Sequence, residues 1–281
     1  MTKSPDPVAL ITGAASGFGR DLALELNGRG FLVIATDIDG KRLKELRPVG
    51  IQTEALDVTD QSAIDRVFSK LAKKHGRLDV LVANAGFGNF GSIEETGVEA
   101  VRRMFEVNLF GVERCIRAAL PLMREQRSGR ILVTTSIVSH VSLAGLGWYA
   151  ATKHAARAMA NALRNEVRWL GIRVSLIEPG TSKTGFDSVA FRALAGTRAI
   201  ADYGDVMTGF ERRLRLLYRL SPGTKKTVRA MVHAATARRP RAVYPASWDV
   251  RALKLVFYGL PRTWSDALIL ALAKTKTKSQ V

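Results

Sequence analysis

Cysteine is almost absent from this chain. Its one copy, Cys115, excludes an intramolecular disulfide and fits a reducing compartment. It lies in FGVERCIRAAL, a mixed helical stretch, and reads as a packed residue rather than a nucleophile. Histidine is scarce too, with four copies, and no group of His, Cys and carboxylates has metal-ligand spacing, so no metal is expected. Long hydrophobic runs are missing as well. No stretch reaches the ~18 apolar residues of a membrane span, and the nearest, ALKLVFYGLPRTWSDALILALAK, is broken by Pro261, Arg262 and Asp266. The opening MTKSPDPVALITG has too short an apolar run for a signal peptide. The expectation is a cytoplasmic protein, peripheral at a membrane at most.

Acid is in deficit. Against 43 Lys and Arg stand 25 Asp and Glu, a net charge of +18. The excess is concentrated late, with 18 basic and 5 acidic residues from Phe191 to Val281. No nucleic-acid motif or aromatic-basic platform accompanies it, so no nucleic-acid partner is expected. A solvated basic surface is the plain account. Basic and apolar residues alternate there, however, which makes an anionic membrane surface the competing one.

What is present is enough apolar residue, 47%, for a large core. Short β-branched runs, VALIT (8–12), FLVIAT (31–36), VLVANAG (80–86), RILVTTS (130–136) and RVSLIEP (173–179), read as buried strands. QTEAL (52–56) is a weaker strand and AVYP (242–245) a last one. Helical periodicity fills 17–29, 60–75, 97–126 and 149–170. This alternation predicts one α/β domain over 1–281: a Rossmann-type doubly wound parallel sheet of about seven strands with helices on both faces. Residues 181–225, irregular and glycine-containing, read as a substrate lid, and 246–281 as a basic and apolar extension.

In VALITGAASGFGR an apolar strand runs into a glycine turn and then a helix. Gly13, Ser16, Gly17, Phe18 and Gly19 form a candidate dinucleotide turn, in which backbone approaches a pyrophosphate at a helix N-terminus. Asp37 closes the second strand about 20 residues on, where a carboxylate binds ribose hydroxyls and repels a 2′-phosphate. With Ile38 after it and no base at Ser16, NAD is expected over NADP. Asp57 and Val58 follow the third strand and could flank the adenine. Asn84, Ala85 and Gly86 follow the fourth, a small-residue turn along which a cofactor could lie. In GWYAATKHA, Tyr149 and Lys153 share one helix face. Alone that pair is a common surface pattern.

Together the motifs resemble the short-chain dehydrogenase/reductase family: TGAASGFG (12–19), Asp37, Asp57-Val58, Asn84-Ala85-Gly86, Asn108 in FEVNLFG, Ser136, YAATK (149–153) and Pro179-Gly180 with Thr184 fall in family order. The likeness is detailed over 6–186 and looser through TARRPRAVYP (236–245). Ala83 departs from it, since many members carry a second asparagine there. The resemblance implies that Tyr149 is the acid/base. Lys153 and the oxidised nicotinamide lower its pKa, and Lys153 also bonds the nicotinamide ribose. Ser136 holds the substrate oxygen, and Asn108 anchors a water of a proton relay. Thr184, with backbone near Pro179 and Gly180, contacts the carboxamide. It also implies a homodimer or homotetramer built on helices 97–126 and 149–170.

Several neighbours compete for these roles. Thr134, Thr135 and Ser139 flank Ser136, but the spacing to Tyr149 favours Ser136. His140 and His154 read as a pocket wall or a satisfied helix histidine. The expected pocket is apolar: Ile137, Val138, Val141, Leu143 and Leu146, Phe87 and Phe90, and the lid's Phe186, Val189, Phe191, Leu194 and Met207. With ARRPRAVYP, which looks like the branch holding retinol and hydroxysteroid dehydrogenases, it suggests a lipophilic alcohol or ketone. The alternatives are a 3-oxoacyl-thioester or general carbonyl reductase, and a non-catalytic NAD(H)-binding sensor.

Overall fold

The computed structural model describes residues 6–186, 190–191, 200–221, 223–247, 250, 254 and 257–273. Seven strands form one sheet in the order β3-β2-β1-β4-β5-β6-β7, and every adjacent pair is parallel. They are β1 Val8–Thr12, β2 Leu32–Asp37, β3 Gln52–Ala55, β4 Val80–Ala83, β5 Gly129–Thr134, β6 Ile172–Glu178 and β7 Val243–Pro245. All five residues of β1 and all four of β4 are buried. Helices cover both faces, so these strands are buried along their whole length and do not alternate.

The helices alternate with the strands. They are α1 Gly17–Asn27, the short α2 Gly40–Leu43, α3 Gln61–His75, α4 Val98–Phe105, α5 Gly111–Gln126, α6 Gly147–Val167, α7 Gly204–Leu220, α8 Lys225–Thr236 and α9 Arg262–Ala273. One core packs α3, α5 and α6 on the sheet through Ile64, Phe68, Ile116 and Leu163. The other packs α1 and α8 through Leu22, Leu26, Met231 and Val232. α3 shows why the chain folds so locally. Asp60 caps its start by accepting from the Ala63 N–H, and Gly76 ends it in the left-handed conformation.

Two expectations need correction. The segment 97–126 is not one regular helix, because a π-helical turn, Glu106–Phe110, separates α4 from α5. The lid is not irregular throughout either. Met207, Phe210 and Leu214 recur at helical spacing and are buried, and this periodicity outweighs the glycines to form α7. Val189 and Leu194 of the expected pocket, and parts of the 246–281 extension, lie outside the described residues.

Strand order reverses between β1 and β4. Ligands of such sheets bind beyond the strand carboxyl ends at that point. There the glycine turn meets the turn after β4.

Candidate active site

The glycine turn is shaped for close backbone approach. Gly13 and Gly17 have φ of +67° and +53°. A Cβ at Gly19 would stand 2.1 Å from the Gly13 carbonyl oxygen, and one at Gly13 would stand 2.9 Å from Ala85 Cα. Ser16 precedes α1 in an extended conformation and makes no side-chain cap bond. The first N–H groups of α1 therefore lack a side-chain cap. A tight turn opening on an uncapped helix start fits an anion such as a pyrophosphate. Phe18 packs its ring into the α1–α8 core, leaving its backbone to the turn.

Asp37 sits at the edge of the turn. One carboxylate oxygen accepts from the Ala15 N–H and the other from the Asp39 N–H, each at 3.0 Å. A carboxylate has about four acceptor positions, so these bonds hold it in place and leave capacity for two hydroxyls. Asn84 ties the two halves of the crevice. Its side chain donates to the Thr12 and Gly13 carbonyls and accepts from the Thr134 hydroxyl, all at 3.1 Å. Thr12 Oγ1 in turn accepts from the Asn84 and Ala85 N–H groups, both at 3.0 Å. Asp57 is partly engaged, with Oδ1 accepting from both the N–H and the hydroxyl of Thr59. Val58 is buried under Gly111, where a Cβ would stand 2.6 Å from its methyl.

Asn108, Ser136, Tyr149 and Lys153 come together beside this crevice. The π turn delivers Asn108, which is fully buried. Its amide donates to the Phe87 carbonyl at 2.9 Å and to the Thr152 hydroxyl at 3.1 Å, and accepts from the Phe87 N–H at 3.0 Å. Gly86 must lack a side chain, since a Cβ would meet Asn108 Oδ1 at 2.9 Å and Lys153 Nζ at 3.4 Å. Lys153 is buried, and Nζ donates to the Thr134 carbonyl at 3.0 Å. The Tyr149 hydroxyl faces Ser136, whose presence lowers its pKa.

Burial sets the electrostatics of both Tyr149 and Lys153. Nζ of Lys153 lies 5.9 Å from the Tyr149 ring centroid, committed to Thr134. Burial raises the Tyr149 pKa above the ordinary phenol value, and the neighbouring Ser136 offsets that in part. Burial also pushes the Lys153 ammonium down to about 8. In the protein's own surroundings, desolvation disfavours both the phenolate and the ammonium.

The space before Tyr149 is aromatic. Phe90, fully buried, packs edge-on against Tyr149, Phe186, Phe191 and Phe210 with centroids 5.5–6.4 Å apart. Val138, Leu146 and Met207 complete this cluster, with Phe87, Ile137 and Leu143 half-buried at its edge. Val141 is buried nearby in the chain. The loop after β6 closes over the glycine turn, where a Cβ at Gly17 would stand 2.9 Å from Thr184 Cβ. Thr184 Oγ1 accepts from the Phe186 N–H, and the Pro179 carbonyl accepts from Ile137 N–H, while Gly180 stays half-exposed.

The competing residues are placed elsewhere. The Thr135 hydroxyl donates to the Ile177 carbonyl and that of Ser139 to the Ser136 carbonyl. His154 bonds the Ala150 carbonyl within its own helix. Cys115 is buried, and desolvation raises its thiol to about 12. His140 is neither a pocket wall nor a satisfied helix histidine but is buried against Glu178, with Nε2 2.6 Å from its carboxylate. Sequence reading missed Glu178, and also the clamping hydroxyls of Thr12, Thr134 and Thr152. The available signal was polarity at strand ends: an acid closing RVSLIE and threonines closing VALIT and RILVT.

A family model described as short chain dehydrogenase matches residues 7–194. A probable short-chain type dehydrogenase/reductase, VdlC, of Helicobacter pylori is 31% identical over 93% of this chain and 96% of its own. Human retinol dehydrogenase 5 is 33% identical over 92% of this chain and 86% of its own. The crystal structure of a short-chain dehydrogenase from Streptomyces avermitilis superposes with a TM-score of 0.82 at 30% identity, covering 95% of this chain and 96% of that one. This chain belongs to the short-chain dehydrogenase family.

Proposed function

We propose that the protein is an NAD-dependent oxidoreductase that interconverts a lipophilic alcohol and its carbonyl, with Tyr149 as acid/base. The observation that carries this is Tyr149, buried beside Ser136 in an aromatic shell and next to a buried Lys153. In the oxidising direction the Tyr149 phenolate takes the alcohol proton. Ser136 donates to the substrate oxygen, so the C–O bond is held while it becomes a carbonyl. Lys153 has three donors and commits one to Thr134, leaving two for ribose hydroxyls. Bound NAD supplies the acceptor for the hydride that leaves carbon. Asn108 shapes this corner by holding Phe87 and Thr152, and a water on its amide would extend the proton path. Gly13, Ser16, Gly17, Phe18 and Gly19 would cradle the pyrophosphate, with Asp37 on the ribose and Asp57 and Val58 near the adenine. Asn84, Ala85 and Gly86 would flank the nicotinamide end with Pro179, Gly180 and Thr184.

The aromatic shell, with the likeness to a retinol dehydrogenase, supports a hydroxysteroid- or retinoid-like substrate. The test is NADH formation from pooled hydroxysteroids, retinol and aliphatic secondary alcohols, beside Tyr149→Phe and an NADP control. Turnover with NAD that disappears in the variant supports the reading. Silence from the pool, with NADH still bound, sinks the lipophilic alcohol and advances a 3-oxoacyl-thioester reductase or a sensor.

A peripheral membrane contact is the second part of the reading. Leu216, Leu217 and Leu220 on α7, and Tyr258, Leu260, Trp264 and Leu270 near the C-terminus, are exposed, and Arg212 and Arg219 lie on the surface of the same α7. This pairing suits an anionic lipid surface. Among the described residues no helix is long and apolar enough to cross a membrane. Flotation with anionic vesicles at low salt tests the contact, and absence of binding removes it. Self-assembly through α4–α5 and α6 is read by light scattering as a dimer or tetramer.

A further inference from the structure

Glu178 ends β6 with its side chain fully buried. A buried carboxylate persists where cations and hydrogen bonds compensate it. Here they come from three parts of the chain. His140 Nε2 lies 2.6 Å from one carboxylate oxygen, and Arg157 Nε lies 3.9 Å from the same oxygen. Lys254 Nζ donates to the other at 3.1 Å. His140 Nδ1 is in turn 2.8 Å from the Tyr258 hydroxyl. Burial alone would raise the Glu178 pKa, but the His140 and Lys254 contacts bring it below the ordinary carboxylate value.

The backbone makes this cluster more than an ion pair. The Thr135 N–H donates to the Ile177 carbonyl at 2.8 Å, and the Ile137 N–H to the Pro179 carbonyl at 3.0 Å. The amides on either side of Ser136 thus hang from the carbonyls on either side of Glu178. The Glu178 carbonyl itself faces the other way and accepts from the Ala246 N–H at 3.0 Å. Arg157 lies one helical turn beyond Lys153 on α6. One residue therefore touches the serine platform, the tyrosine helix and the C-terminal segment.

We propose that Glu178 is the positioning hub of the active site, holding the Ser136 platform against Tyr149 through His140, and that it does so while Lys254 and Tyr258 of the C-terminal segment are docked on it. None of these side chains touches the reacting atoms. Lys254 fixes one carboxylate oxygen, so that the other stays aimed at His140. Tyr258 fixes the far side of the His140 ring. Losing either frees a side chain that orients residues 136–140. A cluster that only stabilised the fold would lower the melting temperature and leave turnover by the folded protein unchanged.

The test uses Lys254→Met and Tyr258→Phe, changes at the partly exposed and exposed ends of the cluster, with Lys254→Arg as the rescue. Hydrogen exchange is followed by peptide, and kcat and KM are measured well below the melting transition. Only the kinetic arm rests on the oxidoreductase reading. Lys254→Met should quicken exchange in a peptide spanning 133–141 at least fivefold. It should lower kcat at least tenfold with KM for NAD within twofold, and Lys254→Arg should recover most of both. Tyr258→Phe should act in the same direction and more weakly. Faster exchange confined to the C-terminal segment, or an unchanged kcat in a folded Lys254→Met protein, overturns the proposal. Should the wild type oxidise no alcohol, exchange at 133–141 still decides it.

Discussion

Lys153 reaches the main-chain carbonyl of Thr134 with a 3.0 Å hydrogen bond, so the ammonium is anchored to the end of β5, two residues before Ser136. The helix that carries Tyr149 is thereby pinned to the strand that leads to its serine. The cost is a buried cation, and its pKa, lowered to about 8, records that cost.

Lys153→Met should therefore stabilise the ligand-free protein while abolishing turnover. A shift from 10.5 to about 8 corresponds to ~3 kcal/mol of disfavoured charge, and loss of the Thr134 hydrogen bond returns roughly 1 kcal/mol. A gain of about 1–2 kcal/mol raises Tm by several degrees. The sign with pH is fixed. Between pH 8 and 10.5 the unfolded chain holds a proton here that the folded chain has released, so wild-type stability rises with pH. The advantage of the variant should shrink over that range. Denaturant melts at pH 7 and pH 10 check it, and a less stable variant at pH 7 refutes it.

Ser136→Ala should do two separable things. Removing a donor aimed at the substrate oxygen lowers kcat by ~10²-fold. Removing the neighbouring hydroxyl that lowers the Tyr149 pKa also moves that group further up. Alcohol oxidation needs the phenolate, so its rate rises with pH, and in the variant that rise should come at higher pH. A pH–rate profile decides the point. A lower rate with an unmoved profile would mean that the Ser136 contact does not tune the tyrosine.

Much of this is legible in the sequence. VALIT and RVSLIEP read as buried strands because helices cover both sheet faces, leaving no alternation to confuse the pattern. Gly13, Gly17 and Gly19 are legible because a positive φ or a close approach at each position disfavours any side chain. α7 was not, because five glycines across the lid drew attention from Met207, Phe210 and Leu214. The raised Tyr149 pKa was hidden too. Spacing reports that a cation is near, but desolvation depends on tertiary burial, as does the choice of Lys153 to bond Thr134. Glu178 was invisible for the same reason, since its partners lie 21 to 76 positions away.

Asp37 should set the cofactor preference. Both carboxylate oxygens are held by main-chain N–H groups, so the charge cannot swing away from a 2′-phosphate. Asp37→Asn keeps an acceptor for the turn and removes the charge. At ~4 kcal/mol for unit charges 4 Å apart near a surface, even partial relief should narrow an NAD-over-NADP ratio of kcat/KM by ~10- to 100-fold. Steady-state assays with both cofactors measure it. An unchanged ratio would mean that selectivity resides elsewhere in the turn.

Glu178 should govern the acid limit of the fold. Its pKa lies below the ordinary carboxylate value, because the His140 and Lys254 contacts outweigh a burial effect that acts the other way. A carboxylate with a depressed folded-state pKa contributes stability that is present above its unfolded value and lost as pH falls through the folded value. Wild-type stability should therefore decline as pH drops below 4.5, with protons entering this cluster among others. Glu178→Gln carries no such linkage. It should be less stable than wild type at pH 7, since it leaves Lys254 and Arg157 without their carboxylate. Its stability should then fall less steeply below pH 4.5, so the two curves converge. Urea midpoints from pH 7 to pH 3 measure both slopes, and parallel curves over that range would show that Glu178 is not protonated with unfolding.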